Sequence, residues 1–511
     1  MQGHQGDHWA TGDLAAHFAK FRRHIVGADA TIVTPHGERP LIYADWTASG
    51  RLYRPIERRL TDDVGPFVAN THSEASATGA LMTEAYHEAH EIIRRHVNAG
   101  PTDVVITAGS GMTTVVNKLI RMLGLRVPEQ LERYTQVPAD QRPVVFVTHM
   151  EHHSNQTPWI ETMADVVVLP PDEAGLVDVD ALRERVVAYR DRPLKIGAFT
   201  TCSNVTGIRT PIHQLAAVMH EHGGVCFADY AASAPYVPID MHPPESDAHL
   251  DAVYFSPHKF LGGPGAAGVL VFNAALYTNR VPDQPGGGTV EWTNPWLEHR
   301  YVANIEVRED GGTPGFLQAM RAALAVRLKD ALDPERMRHR EHEQAERLLR
   351  GLARVPGVQL LAPAVRDRLP IASFYIDHLH YNLVVRLLSD RFGVQARGGC
   401  SCAGTYGHYL LHVGPEQSHE ITSRIDQGDL SGKPGWVRVS VHPTTPDEEV
   451  DAVVDAVDQI ARDGARWSSD YVYSPASNEF RHRHLRPDGT ARRWFDLGAE
   501  AGVRSGGLGR S

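Results

Sequence analysis

Short apolar runs alternate with amphipathic stretches through the middle of the chain. The runs have the length of buried strands, and the stretches between them place apolar residues at helical spacing. Such alternation is typical of a parallel sheet covered by helices, so the sequence predicts an α/β fold. The predicted strands are residues 41–44, 104–107, 144–147, 196–200, 225–228, 252–255 and 268–272. The predicted helices of this region are residues 83–98, a helix after residue 111, and residues 211–222.

The 511 residues are too many for one core, so we expect two domains with extensions. Residues 1–38 are predicted to form an N-terminal arm with a short amphipathic helix. Residues 39–320 are predicted to form a large domain, in which 279–315 is irregular and rich in glycine and proline. Residues 321–465 are predicted to form a smaller domain. Residues 466–511 are expected to be a polar tail that is partly disordered towards its glycine-rich end.

Composition and charge exclude several classes of protein. Hydrophobic residues make up 42% and charged residues 22%, as in a globular protein, and no apolar run approaches a membrane span. The formal net charge of −11 argues against nucleic acid or an anionic membrane as a partner. The N-terminus lacks the pattern of a signal peptide, and four cysteines form no disulfide framework, so a cytoplasmic setting is expected. The 29 histidines are scattered, and no metal site is expected.

Polar residues and glycines directly follow several of the predicted strands. In open α/β sheets, ligands bind outside the carboxyl ends of the strands, so these residues are predicted to line one cleft. The convergence is a stronger signal than any one of the motifs. The set comprises Gly109, Ser110, Gly111, His152, Asn204, Asp229 and Lys259.

Lys259 is the central candidate of this set. A lysine at the end of a buried strand is poorly solvated, and desolvation lowers its pKa and leaves a nucleophilic amine suited to a Schiff base. A single lysine in a turn is more often solvated, but the other strand ends supply what a lysine-bound pyridoxal phosphate (PLP) needs. Ser110 and Gly111 can present N–H groups to a phosphate at a helix N-terminus. Asp229 can pair with a protonated pyridine nitrogen.

Four further residues are candidates for binding and chemistry. His152 can stack on a planar ring and act as an acid or base near neutral pH. Arg397 and Arg438 can hold a substrate carboxylate through a bidentate fork. Cys402 is a candidate nucleophile if Arg397 or a histidine favours its thiolate. Taken singly, each is more often a structural histidine, a solvated arginine or an inert thiol, and each gains weight only from the others.

Five short motifs carry a family resemblance. They are Met-Glu-His-His-Ser-Asn (150–155), Ser-Asn-Val-Thr-Gly (203–207), Ser-Pro-His-Lys (256–259), Gly-Thr-Pro (312–314) and Arg-Gly-Gly-Cys-Ser-Cys-Ala (397–403). With them the chain resembles the fold-type I PLP enzymes of the class V aminotransferase group, and most of all the cysteine desulfurases and selenocysteine lyases. The resemblance covers roughly residues 39–462. It implies a three-layer large domain with a mainly parallel sheet and a smaller α+β C-terminal domain.

The resemblance also implies roles for individual residues. Lys259 would carry the cofactor and act in catalysis together with His152, which would stack on the ring, and Cys402, which aligns with the desulfurase nucleophile. Thr313 resembles a threonine that reaches the phosphate of the neighbouring subunit's cofactor, which implies a homodimer. The residues implied to bind PLP are Ser110, Gly111, His152, Asn204, Asp229, Ser256, His258, Lys259 and Thr313. Those implied to bind the substrate are Arg438, Arg397 and Asn204.

Four features depart from the family pattern. Ala232 stands where desulfurases usually have a glutamine that bonds the cofactor's phenolic oxygen. The phosphate turn, 109–113, lacks the usual run of two threonines. Cys400 is an additional thiol without an assigned role, and the segment after residue 466 has no counterpart. These departures bear on the reaction more than on the cofactor.

The leading hypothesis is a PLP-dependent cysteine desulfurase. It would take sulfur from L-cysteine as a persulfide on Cys402, release L-alanine and pass the sulfur to an acceptor protein, with Lys259 removing the α-proton. An aminotransferase, an epimerase or another lyase acting on an amino acid is the same-fold alternative, because it needs Lys259 and Asp229 but not Cys402. A non-catalytic scaffold is the alternative of another class, and the intact Lys259 counts against it. The sequence leaves the substrate and the acceptor open.

Overall fold

Helices and strands alternate through the centre of the chain in the computed structural model, which describes residues 11–71, 74–485 and 490–496. The strands are β1 (Thr31–Thr34), β2 (Gly37–Pro40), β3 (Ile42–Tyr43), β4 (Asp103–Ala108), β5 (Val144–Thr148), β6 (Asp165–Leu169), β7 (Lys195–Thr200), β8 (Val225–Asp229), β9 (Ala252–Phe255), β10 (Gly268–Asn273), β11 (Val290–Thr293), β12 (His299–Tyr301), β13 (Val358–Leu360), β14 (Ile371–Ile376), β15 (Val394–Gln395), β16 (Arg397–Gly399), β17 (Trp436–Ser440), β18 (Tyr471–Ser474) and β19 (Glu479–His482). The helices are α1 (Thr11–Arg22), α2 (Arg54–Arg58), α3 (Ala77–His96), α4 (Met112–Met122), α5 (Glu129–Glu132), α6 (His153–Ile160), α7 (Val179–Ala188), α8 (Ile212–Glu221), α9 (Ile305–Arg308), α10 (Phe316–Leu332), α11 (Pro334–Leu352), α12 (Tyr381–Phe392), α13 (Gly404–Leu410), α14 (Pro415–Asp426), α15 (Asp447–Trp467) and α16 (Thr490–Arg493).

A seven-stranded sheet in the order β4-β10-β9-β8-β7-β5-β6 forms the core of the large domain. Strands β9, β8, β7, β5 and β6 are parallel, and β10 runs antiparallel to both of its neighbours. All residues of β5, β7 and β9 are buried, as expected for strands covered on both faces. The prediction of an α/β fold with a mainly parallel sheet is confirmed.

A four-stranded antiparallel sheet in the order β13-β14-β17-β16 forms the smaller α+β domain. Helices α11, α12 and α15 pack on it around a separate apolar core. Strand β3 pairs in parallel with β15, so the chain segment before β4 is hydrogen-bonded to the small domain. This β3 connection brings the loop after residue 43 between the two sheets, where the two domains meet.

Several elements differ from the sequence prediction. Strand β6 and helix α7 were not predicted, and the 279–315 region, predicted to be irregular, contains the β11–β12 hairpin. Helix α3 begins at Ala77 rather than at residue 83, because the hydroxyl of Ser76 accepts the backbone N–H of Gly79 at 3.2 Å and caps the helix earlier. The amphipathic helix of the arm is α1, whose Leu14 and Phe18 are buried. Residues 1–10 lie outside the described part of the chain.

The segment after residue 466 corrects the expectation of a solvated tail. Helix α15 ends at Trp467, and strands β18 and β19 form a hairpin in which Tyr471 is 4% exposed and His482 is 9% exposed. The side chain of Asn382 on α12 donates to the carbonyl of Asn478 at 2.5 Å and fixes the hairpin turn to the small domain. The sequence missed this hairpin because its polar residues form specific hydrogen bonds that a hydropathy pattern does not record. The glycine-rich end of the tail lies outside the described residues.

A buried carboxylate joins the carboxyl ends of two neighbouring strands. Glu151 Oε1 accepts the backbone N–H of Thr148 at 3.1 Å and that of Thr200 at 2.9 Å, so it links β5 to β7. Its other oxygen accepts the amide of Asn155 at 2.8 Å. Buried donors without an acceptor are costly, so Glu151 fixes the strand ends that carry the site.

No helix among the described residues has the length and apolarity to cross a membrane.

Replacing Glu151 is therefore expected to lower stability. Glu151→Ala removes the acceptor of the Thr148 and Thr200 N–H groups and one of the two acceptors of the Asn155 amide, and we expect a loss of about 2–4 kcal/mol. Thermal unfolding of the two proteins measures the difference. Glu161→Ala, an exposed glutamate ten residues further on, is the matched control and should unfold like the unmodified protein. Equal unfolding temperatures for Glu151→Ala and the control would contradict this assignment.

Candidate active site

A cavity of about 160 Å³ opens at the carboxyl ends of β5, β7, β8 and β9, between the large and small domains. Its walls bring together most of the residues that the sequence placed in one cleft, with others that the sequence did not indicate. The lining residues are Thr47, Ala48, Met112, Thr113, His152, Ser154, Thr200, Cys202, Asn204, Asp229, Ala231, Ala232, Ser256, His258, Lys259, Arg397, Ser401 and Arg438.

Lys259 ends a single helical turn directly after β9. The backbone N–H of Gly50 donates to the carbonyl of His258 at 2.9 Å, and a Cβ on Gly50 would lie 1.9 Å from the carbonyl oxygen of Phe260. Only glycine permits this close approach, which seats the lysine turn against the loop after β3. Burial lowers the pKa of Lys259 to about 8, and the nearby Asp229 opposes the shift.

Asp229 is the last residue of β8 and is 3% exposed. Its Oδ1 accepts the backbone N–H of Ala231 at 2.8 Å. Burial raises the pKa of Asp229 to about 6, while the Ala231 N–H and the charge of Lys259 lower it. A buried carboxylate is stabilised by a cationic partner, so this position suits a protonated ring nitrogen.

His152 precedes α6, and its Nδ1 accepts the backbone N–H of Ser154 at 3.1 Å. Burial and then the charge of Lys259 lower the pKa of His152 to about 3. This lowered pKa keeps the imidazole neutral near neutral pH, so the ring holds no proton to donate as an imidazolium there, and a catalytic role for His152 stays a prediction. A neutral, oriented imidazole remains able to stack on a planar ring.

Helix α4 points its N-terminus at the same cavity. Gly111 precedes its first residue, and the backbone N–H of Met112 donates to Ser256 Oγ at 2.8 Å. A Cβ on Gly111 would lie 3.1 Å from that Ser256 oxygen, so the strand-end turns approach closely here. The hydroxyl of Thr113, which the sequence did not single out, donates to Ser154 Oγ at 2.7 Å. The positive end of the helix dipole makes this end of the cavity suited to a phosphate.

Three predicted cofactor residues, Ser110, Gly111 and Thr313, do not line the cavity of this chain, although Gly111 directly precedes Met112, which does. Ser110 lines an adjoining opening of about 530 Å³, together with His258, which also lines the cavity. Thr313 is exposed, and its hydroxyl donates to Asn70 Oδ1 at 3.2 Å. The chain therefore does not bring Thr313 to its own cofactor site.

The two arginines are held by an acidic residue that the sequence did not indicate. Arg397 and Arg438 lie directly opposite each other on β16 and β17, so their side chains share one face of the sheet. The carboxylate of Asp45 accepts hydrogen bonds from Arg438 Nη2 at 2.7 Å and from Arg397 Nε at 3.2 Å. Arg438 also donates to the carbonyl of Asn204 at 3.0 Å. The only sequence signal for Asp45 was its position in a polar loop after a strand.

Several buried polar atoms of the cavity walls have no hydrogen-bond partner among the described residues. They are Thr47 Oγ1, Asn204 Oδ1, Ser401 Oγ and Arg438 Nε. Asn204 donates its amide to the carbonyl of Ser401 at 2.8 Å, which leaves the amide oxygen for a ligand. Unpartnered buried polar atoms are rare in proteins, so their concentration here indicates a polar ligand.

Cys402 lies beside the cavity, in a second and larger space. This space, called here the thiol groove, has a volume of about 1390 Å³ and is lined by Cys400 and Cys402 as well as by the turn of the β18–β19 hairpin. Arg397 and Ser401 line both the cavity and the groove. The carbonyl of Cys402 accepts the backbone N–H of His153 at 2.7 Å, which holds the thiol loop to the large domain.

The residues present fit PLP. Lys259 is a buried amine, Asp229 a buried carboxylate, His152 a neutral ring, and the N-terminus of α4 lies beside Ser256. Each suits a different part of the cofactor, and the unpartnered polar atoms of the walls need a ligand that carries hydrogen-bonding groups.

Comparison with known proteins agrees with this site. A protein from Halalkalibacterium halodurans described as a probable cysteine desulfurase is 28% identical over 372 residues, which is 71% of this chain and 84% of that protein. Probable cysteine desulfurase 2 of Mycobacterium leprae is 28% identical over 403 residues, 77% of this chain and 90% of that protein.

Solved structures share the fold. A cysteine desulfurase from Thermococcus onnurineus NA1 superposes with a TM-score of 0.68 at 20% identity, covering 87% of this chain and 98% of that one. The Escherichia coli cysteine desulfurase CsdA gives a TM-score of 0.67 at 22% identity, with the same coverage.

The model of the family called aminotransferase class-V matches residues 42–453, which is most of the chain. Members of this family use PLP, the cofactor that the cavity fits. The chain therefore belongs to the aminotransferase class-V family, as a PLP enzyme similar to the cysteine desulfurases.

Proposed function

We propose that the protein is a cysteine desulfurase that takes sulfur from L-cysteine as a persulfide on Cys402 and releases L-alanine. The observation that carries the proposal is the position of Cys402 on a loop that borders the cofactor cavity on one side and an open groove on the other. The thiol is also close to Arg438. Burial lowers the pKa of this arginine, and the nearby Asp45 and Cys402 oppose that shift. The relatives described as probable cysteine desulfurases support the same reaction.

Lys259, Asp229, His152 and the N-terminus of α4 would hold PLP, which when bound supplies an electron sink for charge at the substrate α-carbon. Lys259 suits proton removal at that carbon, because its lowered pKa of about 8 leaves a substantial neutral fraction near neutral pH. Asp229 stays ionised above its pKa of about 6. His152 stays neutral and holds its ring orientation through Ser154.

The arginine pair suits the substrate carboxylate. Arg438 is 2% exposed and keeps its Nε without a partner, so it retains a donor for the substrate. Asp45 balances the two opposed positive charges when no substrate is bound, and it fixes both guanidinium groups in place. Asn204, bonded to both Arg438 and Ser401, sets the distance between the carboxylate site and the thiol loop.

Sulfur abstraction requires the Cys402 thiolate to reach the substrate sulfur from the groove side. The loop has glycines at 398, 399 and 404, and Gly399 has a φ of 108°, so its backbone can reorient. The thiolate would attack the sulfur and form the persulfide while the substrate carbon keeps the electron pair of the broken bond. An acceptor protein then takes the sulfur from the groove.

A second candidate is an aminotransferase, an epimerase or another lyase that acts on an amino acid. One observation favours it: the cavity is lined by Ser401 rather than by either cysteine of the loop. Such an enzyme uses Lys259 and Asp229 without the thiol. The scaffold alternative has less support, because a buried amine beside a buried carboxylate is costly to keep without a use.

We also propose a homodimer. Thr313 lies on an exposed glycine-rich loop, and the opening beside Ser110 and His258 leaves the phosphate end of the cavity uncovered. In a symmetric dimer, the Thr313 loop of one protomer would cover this opening in the other.

The cofactor is expected to attach to Lys259. Borohydride reduction of the protein supplied with PLP, followed by peptide mapping, should place the label on Lys259 and not on Lys329, whose pKa is also lowered by burial. Because burial lowers the pKa of Lys259, attachment should speed up as the pH rises through about 8 rather than near 10.5. Label on another lysine, or none, would refute the site.

The thiol chemistry is tested by removing Cys402. Cys402→Ala is expected to lower sulfide release from cysteine by about a hundredfold or more, because sulfur abstraction needs the thiolate. Cys226→Ala removes a fully buried thiol of the core and serves as the matched control. Sulfide and alanine are measured together in both variants. Native rates in Cys402→Ala would favour the second candidate function.

The dimer is tested by sedimentation of the protein with PLP bound. The dimer mass is expected, together with weaker PLP retention in Thr313→Ala. Thr135→Ala, at an exposed threonine outside the glycine-rich loops, is the control and should retain PLP like the unmodified protein. A monomer that holds PLP tightly would rule out the shared site.

A further inference from the structure

The loop that carries the candidate nucleophile has two thiols rather than one. Cys400 is half-buried and Cys402 is exposed, and both are free. Both line the thiol groove and neither lines the cofactor cavity, whereas Ser401 between them lines both spaces. The Ser401 hydroxyl is buried and has no hydrogen-bond partner among the described residues. The two thiols of the loop therefore share the groove.

The backbone of this loop forms a tight turn. The N–H of Ala403 donates to the carbonyl of Cys400 at 3.0 Å, and the two residues between them have positive φ values, 52° for Ser401 and 56° for Cys402. Two central residues with positive φ are typical of a type I′ turn. Positive φ is unfavourable for residues with a Cβ, so the surrounding contacts must hold this conformation.

Those contacts come from the large domain. Asn204 donates to the carbonyl of Ser401 at 2.8 Å, His153 N–H donates to the carbonyl of Cys402 at 2.7 Å, and Gly404 N–H donates to the ring of His153 at 3.0 Å. Residues two apart in an extended chain have Cα atoms about 7 Å apart, and a turn brings them closer. Disulfides form at Cα separations of about 4.4–6.8 Å, so the turn moves the two cysteines towards the separation that a disulfide needs.

We propose that Cys400 is a resolving thiol for Cys402. The inference rests on the proposed desulfurase function, which loads sulfur onto Cys402. The thiolate of Cys400 attacks the Sγ of the Cys402 persulfide and forms an S–S bond between the two residues. The bond from Cys402 Sγ to the terminal sulfur breaks, and that sulfur leaves with the electron pair as hydrosulfide.

The disulfide is returned to two thiols by a dithiol reductant, which supplies two electrons and two protons and is itself oxidised. The thiol groove is the route for such a reductant, because both sulfurs open into it and not into the cofactor cavity. The pair thus provides a way to release sulfur as hydrosulfide when no acceptor protein is bound. Reductant, rather than acceptor, would then set the rate of sulfide release.

The test loads sulfur onto the thiol without any amino acid. Reduced protein with PLP bound is treated with inorganic polysulfide, alkylated and mapped by mass spectrometry. The peptide that holds both cysteines should be lighter by two hydrogen atoms, and the thiol titre of the denatured chain should fall from four to two, since four free cysteines are present before treatment. Cys226→Ala, the control, should form the same disulfide.

Cys400→Ala, or Cys400→Ser if the alanine variant does not fold, should instead keep the added sulfur on Cys402, so that its peptide is heavier by one sulfur atom. A stable persulfide on Cys402 of the unmodified protein, with no disulfide, would overturn the proposal. So would release of hydrosulfide from Cys400→Ala at the native rate. Alanine release from cysteine is measured separately, so a failure of the proposed desulfurase function is distinguished from a failure of the resolving thiol.

Discussion

The site depends on one electrostatic constraint, an amine and a carboxylate buried at the ends of neighbouring strands. Lys259 follows β9 and Asp229 ends β8, and the two strands are paired in parallel. Burial favours the neutral form of each group, so it lowers the pKa of Lys259 and raises that of Asp229, while the charge of each group stabilises the charge of the other. A planar ring with a protonated nitrogen would stabilise the Asp229 carboxylate, and attachment of the ring to Lys259 would remove the need to bury an ammonium charge. The remaining groups of the site line the same cavity.

The small domain completes the site through Asp45. This residue lies on the loop after β3, and β3 itself is paired with the small-domain strand β15. Asp45 then binds Arg438 and Arg397 from the second sheet, and Gly50, five residues on, is packed against the lysine turn. One short loop therefore contacts both the lysine turn and the arginine pair, so a displacement of one domain relative to the other would disturb both at once.

The sequence predicts the groups at strand ends better than those between domains. Lys259, Asp229 and His152 follow apolar runs, and the carboxyl ends of parallel strands meet at one edge, so their proximity needs no knowledge of side-chain contacts. Ser401 carries no such signal. Asp45 follows the predicted strand 41–44, but its contact with the two arginines depends on how two sheets are packed together. The lowered pKa of His152 is also absent from the sequence pattern, since burial beside Lys259 is a property of the assembled cavity.

The β18–β19 hairpin extends this argument from the site to its surroundings. It lies beyond the residues matched by the family model, which end at 453, and yet its turn lines the groove that contains Cys400 and Cys402. Asn478 is hydrogen-bonded to Asn382 and Tyr381 on α12, so this wall of the thiol groove is fixed to the small domain. The cavity at the strand ends is built from the matched segment, whereas access to the thiols is shaped by a segment outside it. The cavity at the strand ends and the hairpin that borders the thiols thus come from different parts of the chain, and the cavity and the thiol groove meet at Ser401, in the turn between Cys400 and Ala403.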